Sequence, residues 1–204
     1  MFAVCQGGTV VDRMAVVVGQ HVIKLSDIDH DLRVTAFLNN QPLQVTSDSK
    51  REAAERLIDQ QIIHQEIITN GMRVPSDDDA RMLEEQLLKD RFGGSKMRLQ
   101  TALERYGLDE SQLIAQLSWQ LAVLRFIDQR FREGVLVTDE DERAYYDQHL
   151  VELRKESPQN SSFEALEPKI RESLEGQRVD QNFDQWLRAT RRRTKIEYKQ
   201  EAFQ

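Results

Sequence analysis

Glu52 to Asn70 reads EAAERLIDQQIIHQEIITN. Its apolar residues Ala54, Leu57, Ile58, Ile62, Ile63, Ile67 and Ile68 recur at spacings of three to five, and Arg51, Glu55, Arg56, Asp59, Gln60, His64 and Glu66 fill the gaps. That pattern predicts an amphipathic helix with one buried face. Isoleucine is only a middling helix former, so burial rather than propensity accounts for five of them in one segment. This helix is the expected spine of the core.

The rest of the composition agrees with a helical protein. Of 204 residues, 31% are charged and 39% hydrophobic, with only 9 Gly and 4 Pro, which favours a mostly helical globular chain over a β-rich or disordered one. A formal charge of −7 would repel a phosphate backbone, so nucleic acid is not expected as a partner. No apolar run reaches the roughly 18 residues that cross a bilayer, which argues against stable membrane insertion. Ala3-Val4-Cys5 before Gln6 has small side chains where an A-x-A-like cleavage site wants them. Residues 1–8 are thus read as a leader remnant, with a disordered tail or a lipid-anchored Cys5 as alternatives.

Outward from the spine, Thr9 to Val18 is rich in β-branched residues, and His21 to Leu25 follows Gly19-Gln20, predicting a β-hairpin about a two-residue turn. Ser26, with Asp27 and Asp29, is expected to start a helix carrying Ile28, Leu32, Val34 or Thr35, and Leu38, stopping near Pro42. Gln44 to Lys50 reads as a polar linker. Ser76, followed by three Asp residues, is expected to cap a helix to about Arg91; Lys96 to Tyr106 forms a short one; Asp109 caps Glu110 to Arg132. That last segment carries Leu113, Leu117, Leu121, Leu124 and Phe131, widened by Ile114, Trp119, Val123, Phe126 and Ile127. Such a helix is either central or offers surface to a partner. Thr138 caps a helix through Tyr145, Tyr146 and His149, and Lys155 to Ser162 reads as a linker. A long helix from Phe163 follows, with a slip in period at Gly176-Gln177 and with Arg188, Arg191, Arg192 and Arg193 placed to complement its dipole. Lys195 to Lys199 alternates like a lone strand, whose only obvious partner is the N-terminal hairpin.

Chemistry-bearing constellations are missing from this pattern. His21, His30, His64 and His149 lie far apart with no local zinc spacing. Neither a nucleophile elbow, a P-loop nor a dinucleotide fingerprint occurs. No catalytic, metal-binding or cofactor-binding residue is expected.

The ordered set of segments resembles the SurA-type periplasmic chaperones. Val10 to Asp29, VVDRMAVVVGQHVIKLSDID, is similar to the family's opening strand, turn and first helix. Arg56 to Ile63, Val74-Pro75-Ser76-Asp77, Tyr106-Gly107-Leu108 and Val137 to Asp141 with Tyr145-Tyr146 continue the likeness, and Phe163 to Tyr198 resembles the closing helix and strand. The family places parvulin prolyl-isomerase domains, each roughly a hundred residues, between those blocks; here only Leu150 to Ser162 is available, too few to fold as a domain.

The resemblance therefore implies a mainly α, multi-helix chaperone core with a small hairpin or sheet joining the terminal segments. Its expected divisions are a core over 9–155, a linker over 156–162 in place of an isomerase domain, and a C-terminal helix and strand over 163–204. The implied function is an ATP-independent holdase, exported to the bacterial periplasm or envelope, that binds unfolded outer-membrane or secreted polypeptides in an apolar groove without isomerase activity. Surplus apolar residues nominate Phe92, Met97, Trp119, Val123 and Phe126 as client contacts. A prolyl-isomerase-related foldase, or an assembly subunit forming a homodimer by exchange of its C-terminal helix, are the alternatives.

Overall fold

The computed structural model describes residues 12–72, 75–156 and 161–203. The leader reading, Cys5, the first residues of the expected β-strand, Val74 and most of the expected linker lie outside the described residues. Seven helices and a three-stranded antiparallel sheet make up the described chain, as the composition predicts. Its contacts divide it into two units, one formed by residues up to Leu121 together with Thr190 onward, the other by Ala122–Ala189.

The first unit is built on β1 (Met14–Val18), β2 (His21–Lys24) and β3 (Ile196–Tyr198), in the order β2-β1-β3. Val18 pairs with His21 across Gly19-Gln20, and Gly19 alone of the two turn residues has a positive φ (59°), the pattern of a type II′ hairpin. β3 pairs with the other edge of β1, so the lone strand finds the partner that its alternation demanded. Helix α1 (Leu25–Leu38) starts one residue before the expected Ser26. Lys24 is its cap residue, and Ser26 instead donates its hydroxyl to Asp12, which also accepts the Ser26 N–H.

The spine helix is α2 (Ser47–Thr69), which touches α1, β1, β2 and a final 3-10 turn, Gln200–Phe203. It begins five residues earlier than its apolar period, because Thr46 and Ser49 cap each other's backbone N–H groups. Ala53, Ala54, Ile58, Ile62, Ile63 and Ile67 are buried, Leu57 is half-buried and Ile68 is exposed, since the helix faces its neighbours on one stripe only. Asp31 of α1 is buried against Arg56 of α2; burial pushes its carboxyl pKa up and the guanidinium pulls it back.

Helices α3 (Asp77–Phe92) and α4 (Lys96–Arg105) form a hairpin whose turn, Gly93-Gly94, is left-handed at both residues. Ser76 caps α3 as expected, and the Gly94 N–H reaches back to the Leu88 carbonyl, closing the helix in a Schellman turn. With the start of α5 (Glu110–Phe131) they bury Leu99, Leu103, Leu108, Leu113 and Leu117 against Val34 and Phe37.

The second unit holds the end of α5, α6 (Asp139–Glu156) and most of α7 (Phe163–Arg193). Thr138 caps α6 as read, exchanging bonds with Asp141, whose carboxyl those bonds hold down at about 2. Leu153, Leu166 and Ile170 form one buried cluster; Phe126, Phe131, Phe183 and Trp186 form an aromatic one with centroids 5.2–6.0 Å apart. α7 runs unbroken through Gly176-Gln177, so the slip in apolar period does not interrupt the helix.

Candidate functional site

Within the first unit, one face of α2 carries Leu57, Gln60, Gln61 and His64, residues three and four apart that a helix stacks together. Opposite them lie Val22 and Ile23 of β2, and Trp119 comes in from α5. Between these side chains is an open pocket of about 390 Å³. Its apolar surface is Val22, Ile23, Leu57 and Trp119; its polar rim is the two glutamines, three imidazoles (His21, His30, His64) and Asp27. The His64 and Trp119 rings are 6.0 Å apart and tilted by 51°, and His30 Nδ1 is 3.5 Å from Gln112 Nε2. Asp27 accepts the Lys24 N–H at 2.8 Å.

An amphipathic indole, two amides and three imidazoles around an apolar floor suit a peptide side chain better than a charged metabolite. The imidazoles do not converge on a point. Among the described residues no group of three or more His, Cys, Asp or Glu side chains could hold a metal ion.

The five residues nominated from sequence do not form one surface. Trp119 lines this pocket, half-buried. Phe92 and Met97 come together in a second depression of about 330 Å³ on the α3–α4 hairpin, beside Arg98 and Arg105. Met97 is 75% exposed, while Phe92 is half-buried, stacked 6.4 Å from Phe37 and covered by the Arg91 guanidinium. Val123 and Phe126 belong to the second unit. Val123 is half-buried, and Phe126 is only 1% exposed, sealed by Phe131 and Trp186, so it is a core residue and not an accessible contact.

A larger cavity, about 440 Å³, opens between α3, α4 and the start of α5. Its rim is dominated by carboxylates, including Glu84, Glu104 and Glu110, and burial together with the Glu110 charge pushes the Glu84 carboxyl upward. Its floor leucines, Leu99, Leu103 and Leu108, are packed into the core.

Val22, Leu57 and the three histidines were not nominated from sequence. The only available signal was the 57, 60/61, 64 stripe beside the buried face of α2, and its partners arrive from elements far away in the chain. Arg191, Arg192 and Arg193 stand in the last turn of α7, as the dipole reading expects, and Arg191 does more. Arg191 reaches across to α2, where its guanidinium bonds Asp59 at 2.5 Å and also Glu55, and the Tyr198 hydroxyl bonds Glu55 as well. Arg188 pairs along its own helix with Asp184.

No protein-family model matches the chain, and no curated protein matches it.

Proposed function

We propose that this chain is an ATP-independent holdase of the SurA type, which keeps unfolded outer-membrane or secreted polypeptides from aggregating in the bacterial periplasm. The observation that carries the reading is the Trp119 pocket, an open apolar site with an adaptable, mostly uncharged rim on an otherwise strongly charged protein. A holdase needs accessible apolar surface that lowers the free concentration of unfolded chains by mass action, without an energy source. The join between α6 and α7 also favours a holdase over an isomerase: it spans only residues 157–162, far short of a domain.

The test is light scattering of an aggregating, urea-diluted outer-membrane protein. Stoichiometric wild-type protein suppresses scattering, and Trp119→Ala, shown to remain folded by circular dichroism, suppresses it much less. Scattering unchanged by the wild-type protein refutes the proposal.

A further inference from the structure

The hydrogen-bond parity of the sheet shows which backbone groups of β2 face outward. The Gly19 N–H donates to the Lys195 carbonyl and the Lys199 N–H to the Ala15 carbonyl, both at 2.8 Å, with Val17 opposite Glu197. Ala15, Val17 and Gly19 therefore bond toward β3, and Val16 and Val18 bond toward β2. Since Val18 pairs with His21, Val17 with Val22 and Val16 with Ile23, the β2 residues that bond to β1 are His21 and Ile23. The N–H and C=O of Val22 point away from the sheet. Lys24 N–H, the next outward donor, is already taken by Asp27. Among the described residues nothing bonds the Val22 backbone pair, and Val22 is 36% exposed.

That edge borders the Trp119 pocket. Successive strand residues point to opposite faces, yet His21, Val22 and Ile23 all line the cavity, so the cavity reaches around the outer edge of β2. The charged groups there are already engaged within the chain. Asp27 is the one carboxylate of the lining and accepts the Lys24 N–H, while the Lys24 ammonium lies 4.0 Å from Asp12. An uncharged occupant fits this surface best. The sheet already accepts one isolated strand in this manner, since β3 is a three-residue segment from the far end of the chain added to the opposite edge of β1.

We infer that an extended, uncharged client segment adds to β2 as a fourth strand, with one of its residues exchanging both backbone hydrogen bonds with Val22 and a neighbouring apolar side chain entering the Trp119 pocket. This rests on the holdase reading of the same pocket and specifies its substrate: polypeptide in extended conformation, alternating apolar and small polar residues, selected through its backbone. Folded and helical segments, whose N–H groups are internally bonded, are excluded.

The probe is a fluorescein-labelled, end-capped ten-residue peptide of alternating Val and Thr with one central Tyr, together with a series N-methylated at one peptide bond each, measured by fluorescence anisotropy. Loss of one backbone hydrogen bond weakens binding by about tenfold. The expected result is that this loss appears at a single position of the series in the wild-type protein. Val22→Pro removes only an outward N–H on an edge strand, a place where proline is tolerated. In that variant the unmodified peptide binds about as weakly as the N-methylated peptide binds the wild type, because each has lost one bond of the pair, and N-methylation at the same position weakens binding further, because it removes the bond to the carbonyl that proline retains. If Val22→Pro fails to fold, the N-methyl series alone decides. Binding that falls in Trp119→Ala but is indifferent to every N-methyl group overturns strand addition and leaves the holdase reading standing. A protein that neither binds the peptide nor suppresses aggregation overturns both.

Discussion

Arg191→Ala isolates the contact that ties the end of α7 and β3 to the spine helix. The guanidinium side chain is 26% exposed, and it bonds Asp59 (34%) and Glu55 (47%) on α2. A well-shielded charge-assisted hydrogen bond contributes about 1.5–3 kcal/mol. Glu55 is nearly half exposed, so water screens most of its share. The main cost is the Asp59 carboxylate left half-buried without its cation, which gives a net loss of about 2 kcal/mol at pH 7. The loss depends on pH in a definite direction. Burial already raises the Asp59 pKa above its ordinary 3.8, against the pull of Arg191; removing the cation raises it further. A carboxyl whose folded-state pKa lies above its unfolded value opposes folding when ionised, so the penalty grows as pH rises above about 4. Urea unfolding followed by Trp119 fluorescence in a Trp186→Phe background, at pH 4 and pH 7, measures both numbers. A penalty below about 0.5 kcal/mol at pH 7, or one equal at the two pH values, refutes this reasoning.

Ile58→Ala removes a fully buried side chain from the spine and is expected to lower stability by about 3 kcal/mol with little change in the denaturant slope, checked by the same urea titration. Gly107→Ala forces a left-handed residue (φ 65°) to carry a Cβ at 2.8 Å from Arg33 Nη1, which itself bonds the Tyr106 carbonyl; differential scanning calorimetry should register a loss of about 1–2 kcal/mol. In the second unit Asp141 is held down by the Thr138 N–H and hydroxyl and then by Arg178, so its NMR-detected titration should have a midpoint near 2. Its stabilising contribution is present above the ordinary carboxylate range and disappears as pH falls through that midpoint, and Thr138→Ala should shift the midpoint upward.

Local signals were legible in the sequence wherever the deciding interaction spans only a few residues. Ser76, Asp109 and Thr138 each satisfy the first-turn N–H groups of the helix they precede, as their positions required. The Gly19 turn was equally clear, and β3 had only one hairpin to join. The early start of α2 was hidden because the Thr46–Ser49 box sits in a polar string with no apolar period. Phe126 misled because the rings that seal it, Phe131 and Trp186, include one sixty residues downstream. For the same reason His21, His30 and His64 read as unrelated polar residues until β2, α1 and α2 placed them around one pocket. The reach of Arg191 to α2 was likewise invisible, because a run of arginines at a helix end satisfies the dipole rule whether or not carboxylates wait on another helix.

Trp119 itself is the most direct reporter of whether the pocket takes unfolded chains. In the Trp186→Phe variant it is the sole tryptophan, and a urea-unfolded, tryptophan-free outer-membrane protein fragment can be titrated in after dilution. Entry of apolar side chains beside the indole should shift its emission to shorter wavelength in a saturable manner. Emission that stays unchanged up to a tenfold excess of the unfolded fragment would contradict the holdase assignment of this pocket.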